Sequence, residues 1–330
     1  MNILYTTDSK FLPQVTASMC SILENNRHAD NLHIYILGLQ IDEPSIQTLT
    51  QFVSRYNKKL THIPLNDIQS YYPFSIDTSG WHPIVLARLI IDRLLPKALS
   101  RVIYLDGDTI IRGSLQSLYE TDMQGAPIGG CQEATYSKEN LKALDMLNIP
   151  YINAGVLLID LDVWRAEKTG AAIIAYYAEH SGRLFANDQD AINGTLKCRL
   201  YLLPLSYNYC NSYDYYTYKA LRKMAAPAPF VNEADYRRYT QNPIIIHYLG
   251  EERPWRAGNR HRFGKDYLHY LSLTPYKDTP METGWETYFK AFSLLNTLTR
   301  PFPLLRHRLI SALIPLFMRF RRRMLSTHNK

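Results

Sequence analysis

The sequence lacks the short motifs that mark several common classes of enzyme. No Gly-x-Gly-x-x-Gly follows the first apolar segment, and no P-loop, Gly-x-Ser-x-Gly or His-Glu-x-x-His pattern occurs in the 330 residues. The missing glycine pattern argues against a classical dinucleotide cofactor, and the other absences argue against chemistry built on those motifs. Any activity must therefore depend on a different arrangement of polar residues.

Cysteine is also scarce. The chain has four cysteines, and none forms a Cys-x-x-Cys pair or stands at a zinc-type spacing from histidine. The first residues lack the basic region and the long apolar run of a secretory signal. We therefore expect free thiols and a reducing, cytoplasmic setting.

Positive charge is concentrated at one end of the chain. The net charge is +7, while residues 300–330 contain eight Arg or Lys residues and no acid. That segment carries +8, so residues 1–299 carry −1. A near-neutral body does not favour nucleic-acid binding, whereas the basic segment favours a local anionic partner.

Segments of strand and helix character alternate along the chain. Short apolar runs predict strands at 2–6, 33–37, 60–64, 101–105, 126–130, 152–161 and 243–249, and helical periodicity predicts helices at 11–26, from 42 onwards, at 83–95 and at 164–180. This alternation predicts an α/β fold with a mostly parallel central sheet flanked by helices. Ligands of such sheets bind beyond the carboxyl ends of the strands, where Asp8, Asp106 and His247 are expected to lie.

Two carboxylates separated by one glycine follow the fourth predicted strand. Asp106 and Asp108 can converge on one cation, and we expect Gly107 to supply a backbone conformation that other residues resist. Carboxylates suit hard cations such as Mg²⁺ or Mn²⁺, and an additional imidazole from His247 would favour Mn²⁺. Taken singly, Asp-Gly-Asp is also a common turn, and a histidine on an apolar strand is also a typical hydrogen-bonded core residue.

Two further polar residues have competing interpretations. Asp188 can cap the helix that follows it, or it can orient sugar hydroxyls together with Gln189. Arg88 lies in a mostly apolar helix, where it can be a surface charge, a member of a core ion pair, or a phosphate or sugar contact. Residue type alone favours the cap for Asp188 and the surface for Arg88.

Six segments, taken in order, resemble glycosyltransferase family 8, the retaining enzymes that include bacterial lipopolysaccharide α-galactosyl- and α-glucosyltransferases and glycogenin. The resemblance extends from residue 1 to about residue 270. The segments read NILYTTD, LARLIIDRLLP, RVIYLDGDTIIRGSL, INAGVLLIDLDVW, NDQDAIN and HYLGEERPW. The resemblance implies a GT-A-type fold, a Rossmann-like sheet with helices on both sides.

The resemblance also assigns roles to individual residues. It implies that Asp106, Asp108 and His247 bind Mn²⁺ or Mg²⁺ and that Glu133 contacts the acceptor. It implies that a UDP-sugar donor contacts Thr6, Thr7, Asp8, Phe11, Arg88, Asp106, Gly107, Asp108, Asn153, Ala154, Asp188, Gln189, His247, Gly250 and Arg253. Within this set, Thr6, Thr7, Asp8 and Phe11 would receive the uridine.

For the reaction, the resemblance implies retention of the anomeric configuration. The metal and Arg253 would assist the departure of the diphosphate, and the acceptor hydroxyl would attack from the same face. Gln189 and Asp188 are the expected catalytic residues. Gln189 would stabilise the oxocarbenium-like centre, since a neutral amide is a poor nucleophile. Arg253 stands where the family usually has lysine, which keeps the charge but changes the donor geometry.

The C-terminal part of the chain is expected to be separate from catalysis. Residues 1–270 would form the catalytic domain, 271–299 a connecting segment and 300–330 a basic amphipathic tail. The apolar run at 309–318 has ten residues, whereas a membrane span needs about 20. Basic and aromatic residues without acids favour an anchor on an anionic membrane surface, peripheral on the inner face of the cytoplasmic membrane. A helix packed on the body with a solvated arginine end is the alternative.

Together these observations predict a metal-dependent hexosyltransferase. It would move galactose or glucose from a UDP-sugar to a saccharide acceptor, either lipopolysaccharide core or another lipid-linked glycan. A glycogenin-like self-glucosylating protein and a non-catalytic nucleotide- or lipid-binding module of the same fold are the alternatives.

Overall fold

The computed structural model describes residues 1–78 and 81–314, and its framework is built from short, largely buried strands. These are β1 (Asn2–Asp8), β2 (His33–Leu39), β3 (Lys59–Leu65), β4 (Arg101–Leu105), β5 (Thr109–Ile111), β6 (Ile128–Gln132), β7 (Ile152–Asp160), β8 (Leu200–Leu202), β9 (Tyr209–Cys210) and β10 (Ile245–His247).

Seven of these strands form the central sheet, in the order β3-β2-β1-β4-β7-β6-β8. Within this sheet β7 pairs antiparallel with both β4 and β6, and the remaining pairs are parallel. The predicted mostly parallel sheet is therefore confirmed. Because β7 runs the other way, its first residues lie at the edge where β1 and β4 end.

Helices of one to four turns lie between the strands or follow the last of them. They are α1 (Leu12–Asn25), α2 (Glu43–Ser54), α3 (Ile91–Leu94), α4 (Gln116–Tyr119), α5 (Lys138–Ala143), α6 (Leu161–Ala166), α7 (Thr169–Glu179), α8 (Asn187–Leu196), α9 (Ser212–Tyr215), α10 (Tyr218–Ala225), α11 (Glu233–Gln241), α12 (Gly264–Ser272) and α13 (Glu286–Thr299). Short 3-10 helices lie at Ser9–Phe11, Gln69–Tyr71, Pro83–Ile90, Lys197–Arg199 and Leu205–Tyr207.

The sheet is buried on both faces. Leu4 of β1 belongs to the core cluster on one face, whereas its neighbours Ile3 and Tyr5 belong to the cluster on the other face. Alternate side chains of a strand point to opposite faces, so both faces of β1 must be covered. The near-continuous apolar sequence of the central strands follows from this two-sided burial.

A second, smaller sheet joins distant parts of the chain. Its order is β5-β10-β9, and β10 pairs antiparallel with β5 so that His247 lies opposite Thr109. Since β5 begins directly after Asp108, this register brings the end of β10 beside the turn that follows β4.

Two predicted helices differ from the structure. The segment predicted as one helix at 83–95 is a 3-10 helix over Pro83–Ile90 followed by the short α3. In this tighter winding the Nε of Arg88 donates to the Val85 carbonyl, a local bond that competes with α-helical pairing. The helix predicted at 164–180 is instead divided into α6 and α7 by Lys168, which has a left-handed backbone with φ 55°.

The C-terminal segments add helices to the body. The predicted connecting segment contains α13, and residues 303–314 of the predicted tail are helical. None of the helices within residues 1–78 and 81–314 has the length and apolar composition that a membrane crossing requires. The rest of the predicted tail, 315–330, lies outside the described residues.

Because β4 is buried, shortening one of its side chains should lower the unfolding free energy far more than shortening an exposed leucine. Ile103 is 0% exposed and lies in the core beside α1. The Ile103→Ala variant should lose about 2–5 kcal/mol of unfolding free energy, measured by urea denaturation. Leu298→Ala is the control, because Leu298 is 66% exposed on α13 and surface changes usually stay within about 0.5 kcal/mol. Equal denaturation midpoints for the two variants would contradict the position of β4.

Candidate active site

Three side chains that can bind a metal ion meet where β4 and β10 end. Asp106, Asp108 and His247 each offer a ligand atom, and these atoms lie within 4.8 Å of one another. The His247 Nε2 is 3.2 Å from an Asp108 oxygen and 3.9 Å from an Asp106 oxygen. The antiparallel pairing of β5 with β10 produces this approach, because it places His247 beside the turn that carries the two acids.

The ring of His247 is oriented by a hydrogen bond at Nδ1, the nitrogen that does not face the carboxylates. Its Nδ1 lies 2.9 Å from the Oδ1 of Asn208. An amide oxygen only accepts, so Nδ1 carries a proton and Nε2 faces the carboxylates. Burial alone lowers the pKa of His247, but the facing Asp108 and Asp106 outweigh it and the pKa is raised. The pocket therefore favours a positive charge at Nε2, which is a condition that a bound metal cation also satisfies.

Gly155 of β7 provides the room for this ring. A Cβ at position 155 would lie 2.1 Å from the Cε1 of His247. A contact that short is sterically forbidden, so only glycine allows His247 to lie against the sheet.

The reason expected for Gly107 is wrong. Among the described residues, the glycines with positive φ are Gly125, Gly182, Gly250, Gly258 and Gly284. Gly107 is required by space instead, since a Cβ there would lie 2.5 Å from Val15 and 3.0 Å from the Phe11 ring. The turn between the two acids is packed directly against the start of α1.

Arg88 is a buried cation at the centre of the site. Its side chain is 5% exposed, and it binds Asp106 at 2.8 Å and Asp188 at 3.0 Å. It also donates to the Ala154 carbonyl at 2.6 Å. Burial alone would lower the pKa of Arg88, but the two carboxylates outweigh it and raise the pKa. The surface interpretation suggested by residue type is therefore wrong.

Asp188 pairs with Arg88 rather than capping its helix. No side-chain cap bond is made at the start of α8 by its N-cap residue, Ala186. Instead the Ala186 amide donates to Asp190 at 2.8 Å. Burial, reinforced by Asp106 and opposed by Arg88, raises the pKa of Asp188 to about 6. The cap interpretation of Asp188 is thus wrong, and its carboxylate faces the arginine.

Gln189 is held by hydrogen bonds on both ends of its amide. Its Oε1 accepts from the Ala154 amide at 2.9 Å, and its Nε2 donates to Glu133 and to the Tyr151 hydroxyl, each at 3.1 Å. Glu133 also accepts from Asn153 at 3.0 Å. Burial raises the pKa of Glu133, although Asn153 and Gln189 oppose that rise.

A pair of stacked tyrosines supports this amide. The rings of Tyr136 and Tyr151 are 4.0 Å apart and nearly parallel. Both hydroxyls donate to Asp190 at 2.6 Å. The Tyr151 hydroxyl therefore has its proton committed to Asp190 and can only accept from Gln189, which fixes the orientation of the amide.

Arg253 closes the other side of the metal-ligand cluster. Its Nη2 is 3.4 Å from an Asp108 oxygen, and its Nε donates to the Gly250 carbonyl at 3.0 Å. The guanidinium lies 5.9 Å from the Phe11 ring and 5.5 Å from the Trp255 ring. Gly250 has φ 69°, and no atom lies within 4 Å of the place where a Cβ would stand.

The last group of predicted site residues lies at the end of β1. Asp8 accepts from the Phe11 amide at 3.0 Å and lies 3.3 Å from the His82 Nε2. Thr7 is buried and donates to the Asp8 carbonyl. Thr6 shares a hydrogen bond with the Tyr104 hydroxyl, which in turn donates to Asp106 at 2.7 Å.

The structure brings the predicted site residues together. One continuous series of contacts leads from Asp8 through Arg253 and the metal-ligand cluster to Gln189, and returns through Arg88 to Thr6. Sequence reasoning missed a set of residues that orient the others: Tyr104, Tyr136, Tyr151, Gly155, Asp190 and Asn208. Tyr104, Gly155 and Asp190 lie within the quoted segments, but nothing in those segments assigned them a role. Tyr136, Tyr151 and Asn208 carry no charge and follow no motif that distinguishes them from core residues.

Known proteins are similar to this chain in sequence over most of its length. The chain is 23% identical over 278 residues to General stress protein A of Bacillus subtilis, covering 83% of this chain and 94% of that protein. It is 27% identical over 285 residues to lipopolysaccharide 1,2-glucosyltransferase of Escherichia coli K12, covering 84% of this chain and 79% of that protein.

Solved structures show the same fold. The crystal structure of the galactosyltransferase LgtC in complex with donor and acceptor sugar analogues superposes with a TM-score of 0.70 at 19% identity, covering 83% of this chain and 96% of that one. The apo structure of WbbM, a bifunctional glycosyltransferase, gives a TM-score of 0.68 at 18% identity, covering 88% of this chain and 51% of that one. Residues 2–258 match glycosyl transferase family 8, and the chain therefore belongs to that family.

Proposed function

We propose that the protein is a retaining glycosyltransferase that moves galactose or glucose from a UDP-sugar to a saccharide acceptor. The observation that carries the proposal is the cluster of Asp106, Asp108 and His247 with a guanidinium on either side, from Arg88 and Arg253. A sugar diphosphate brings two negative charges that a metal ion and arginines can neutralise. A non-catalytic binding module would not need Gln189 held in one orientation beside this cluster.

Asp106, Asp108 and His247 would hold the metal ion. Two carboxylates and one imidazole suit Mn²⁺, and Mg²⁺ is the alternative. The bound ion would supply Lewis-acid stabilisation of the diphosphate leaving group. Asn208 would act on the ion indirectly, because it fixes the tautomer and the rotation of His247.

Arg253 and the end of β1 would hold the rest of the nucleotide. Arg253 lies beside Asp108 and would bind the diphosphate as negative charge develops there. The backbone at Gly250 is open enough for a phosphate to approach. The Phe11 ring beside Arg253 would stack on the uracil, with Asp8, Thr6 and Thr7 next to it.

The residues around Arg88 would position the donor sugar. Arg88 links Asp106 to Asp188, so the metal ligand and the sugar-binding acid are held in one arrangement. Asn153, Ala154 and Gln189 form the adjoining wall, because Gln189 accepts from the Ala154 amide and both Asn153 and Gln189 donate to Glu133. Gln189 would stabilise the positive charge at the anomeric carbon, and Glu133, on the other side of its amide, would contact the acceptor hydroxyl.

The acceptor is proposed to be lipopolysaccharide core or another lipid-linked glycan. The relatives include a lipopolysaccharide glucosyltransferase. Large apolar side chains are exposed on α13 and on the residues that follow it up to 314: Leu294, Leu298, Phe302, Leu305, Leu309 and Leu313. Together with the basic residues of 300–330, these side chains suit attachment to an anionic membrane surface, which would place the enzyme at the inner face of the cytoplasmic membrane.

The first prediction from this proposed function concerns the donor and the metal. The purified protein is assayed with UDP-galactose, UDP-glucose and their N-acetyl forms. It should release UDP from one hexose donor, and this release should require Mn²⁺ or Mg²⁺. EDTA should abolish the release. Asp108→Asn should lower turnover at least about a hundredfold, because it removes a ligand that also holds Arg253.

The matched control is Asp278→Asn, since Asp278 is exposed and distant in sequence from the site. It should retain full turnover. Metal-dependent turnover that survives Asp108→Asn would refute the metal assignment.

A second prediction concerns Asn208, which sequence reasoning missed. Asn208→Ala should weaken Mn²⁺ binding by about 10- to 100-fold, because His247 loses the partner that orients it. Free Mn²⁺ in a titration, measured by electron paramagnetic resonance, gives the affinity directly. Asn242→Ala, at an exposed position after α11, should bind as the wild type does. Unchanged affinity in Asn208→Ala would show that His247 does not depend on this contact.

A third prediction concerns the basic tail. The full chain should co-sediment with phosphatidylglycerol vesicles, and removal of residues 315–330, which contain five Arg or Lys residues, should lower the bound fraction at least about tenfold. Neutral phosphatidylcholine vesicles and high salt should weaken binding of the full chain, since the attraction is electrostatic. Binding that survives the truncation unchanged would exclude the tail as the anchor.

A further inference from the structure

The turn that carries Gly250 and Arg253 has little regular structure of its own. Residues 248–255 contain no helix or strand, and backbone hydrogen bonds within the turn span only two or three residues. We refer to residues 249–256 as the Arg253 turn. Because its internal bonds are local, its position relative to Asp108 must be set by contacts from other segments.

Glu252 connects the Arg253 turn to the segment that contains α9. It is 8% exposed, and its carboxylate accepts from the Asn211 amide at 2.7 Å and from the Tyr215 hydroxyl. Asn211 also donates to the Leu249 carbonyl at 3.2 Å. A buried carboxylate without such donors would be strongly destabilising, so these bonds tie the turn to α9.

Arg306 extends this support to the C-terminal helix. It is 3% exposed, and its guanidinium lies 4.4 Å from the Tyr215 ring and 5.0 Å from the Tyr216 ring. It donates to the Tyr216 hydroxyl and to the Asn296 Oδ1, both at 2.7 Å. Tyr215 therefore touches Glu252 with its hydroxyl and Arg306 with its ring, so one side chain connects the turn to residues 303–314.

A second set of contacts reaches the turn from the segment before α13. The Glu282 amide donates to the Trp255 carbonyl, and the Glu282 carbonyl accepts from the Ala257 amide, each at 2.8 Å. Arg256 binds the Glu282 carboxylate at 2.9 Å and lies 3.7 Å over the Trp285 ring. Residues 282–285 thus fasten the end of the turn.

Part of this support comes from outside the region that matches the family. The family match ends at residue 258, whereas Glu282, Trp285 and Arg306 follow it. Residue 253 itself carries a long side chain whose useful contact with a diphosphate depends on where its backbone is held. A displacement of about 1 Å at a binding residue can cost a large factor in rate or affinity.

We propose that residues 282–306 form a brace that fixes the Arg253 turn, and that Tyr215 and Arg306 are positioning residues for the contact of Arg253 with the donor diphosphate. This inference rests on the proposed function for its catalytic consequence. The C-terminal helices would thus act on the donor site through the Arg253 turn. Within the described structure, none of their residues contacts the metal-ligand cluster itself.

The test uses the full-length protein with Tyr215→Phe, which keeps the ring over Arg306 and removes the bond to Glu252, and with Arg306→Gln, which keeps polar contacts and removes the charge. Both should raise the KM for the UDP-sugar about five- to tenfold and also lower kcat, by about threefold, because Arg253 would contact the diphosphate both in the bound donor and as charge develops on its departure. The double variant should be less impaired than the product of the single effects, since both act through Tyr215.

Tyr270→Phe is the matched control, because the Tyr270 hydroxyl accepts from Asn25 on α1 and not from a residue of the Arg253 turn. It should leave the donor KM unchanged. Hydrogen exchange provides a readout that does not depend on activity: the amides of 249–256 should exchange at least about tenfold faster in Tyr215→Phe and Arg306→Gln than in the control.

The outcomes separate the two proposals. If the wild type releases UDP from no hexose donor, the proposed function fails, and the exchange rates still decide whether the brace exists. If Tyr215→Phe and Arg306→Gln lower the melting temperature while the donor KM and the exchange of 249–256 remain at wild-type values, the brace is overturned and these residues only stabilise the fold.

Discussion

The arrangement of the site depends on one buried cation. The Arg88 guanidinium is shared by Asp106 after β4, by Asp188 on α8 and by the Ala154 carbonyl on β7. A buried charge is tolerated only when its partners are in place, because an uncompensated one costs about 3–5 kcal/mol. Three segments of the chain are therefore held in register by a single side chain, and the Tyr104 ring at 4.3 Å completes its enclosure.

The same requirement explains the behaviour of the neighbouring polar groups. Gln189 uses both hydrogens of its amide nitrogen on Glu133 and Tyr151, and its oxygen accepts from Ala154. An amide with all of these bonds made reorganises little when charge develops beside it. This preorganisation fits a stabilising role for Gln189 better than a role as attacking group, since the amide cannot move toward a substrate without losing its partners.

Much of this could be predicted from the sequence, for identifiable reasons. Apolar runs that end in Asp8 and Asp106 are local signals, so the strands and the acids after them were predictable. The reversal of β7 has no local signal, and the rule about carboxyl ends of strands would have placed Asn153 and Ala154 at the wrong edge of the sheet. They were reached only through the family resemblance. Asn208 and Gly155 act on His247 across large sequence separations, and neutral residues in apolar surroundings do not reveal such contacts.

The pairing of β5 with β10 has a consequence for how the protein reaches its native state. Thr109 and His247 are neighbours in space but lie far apart along the chain, and closing so long a loop costs entropy that local contacts do not repay. The central strands β1, β2 and β4 can assemble from nearer segments, whereas the metal-ligand cluster is completed only when β10 docks. A partly folded chain therefore carries Asp106 and Asp108 without their histidine, and a metal ion that binds all three would favour the finished fold over such intermediates.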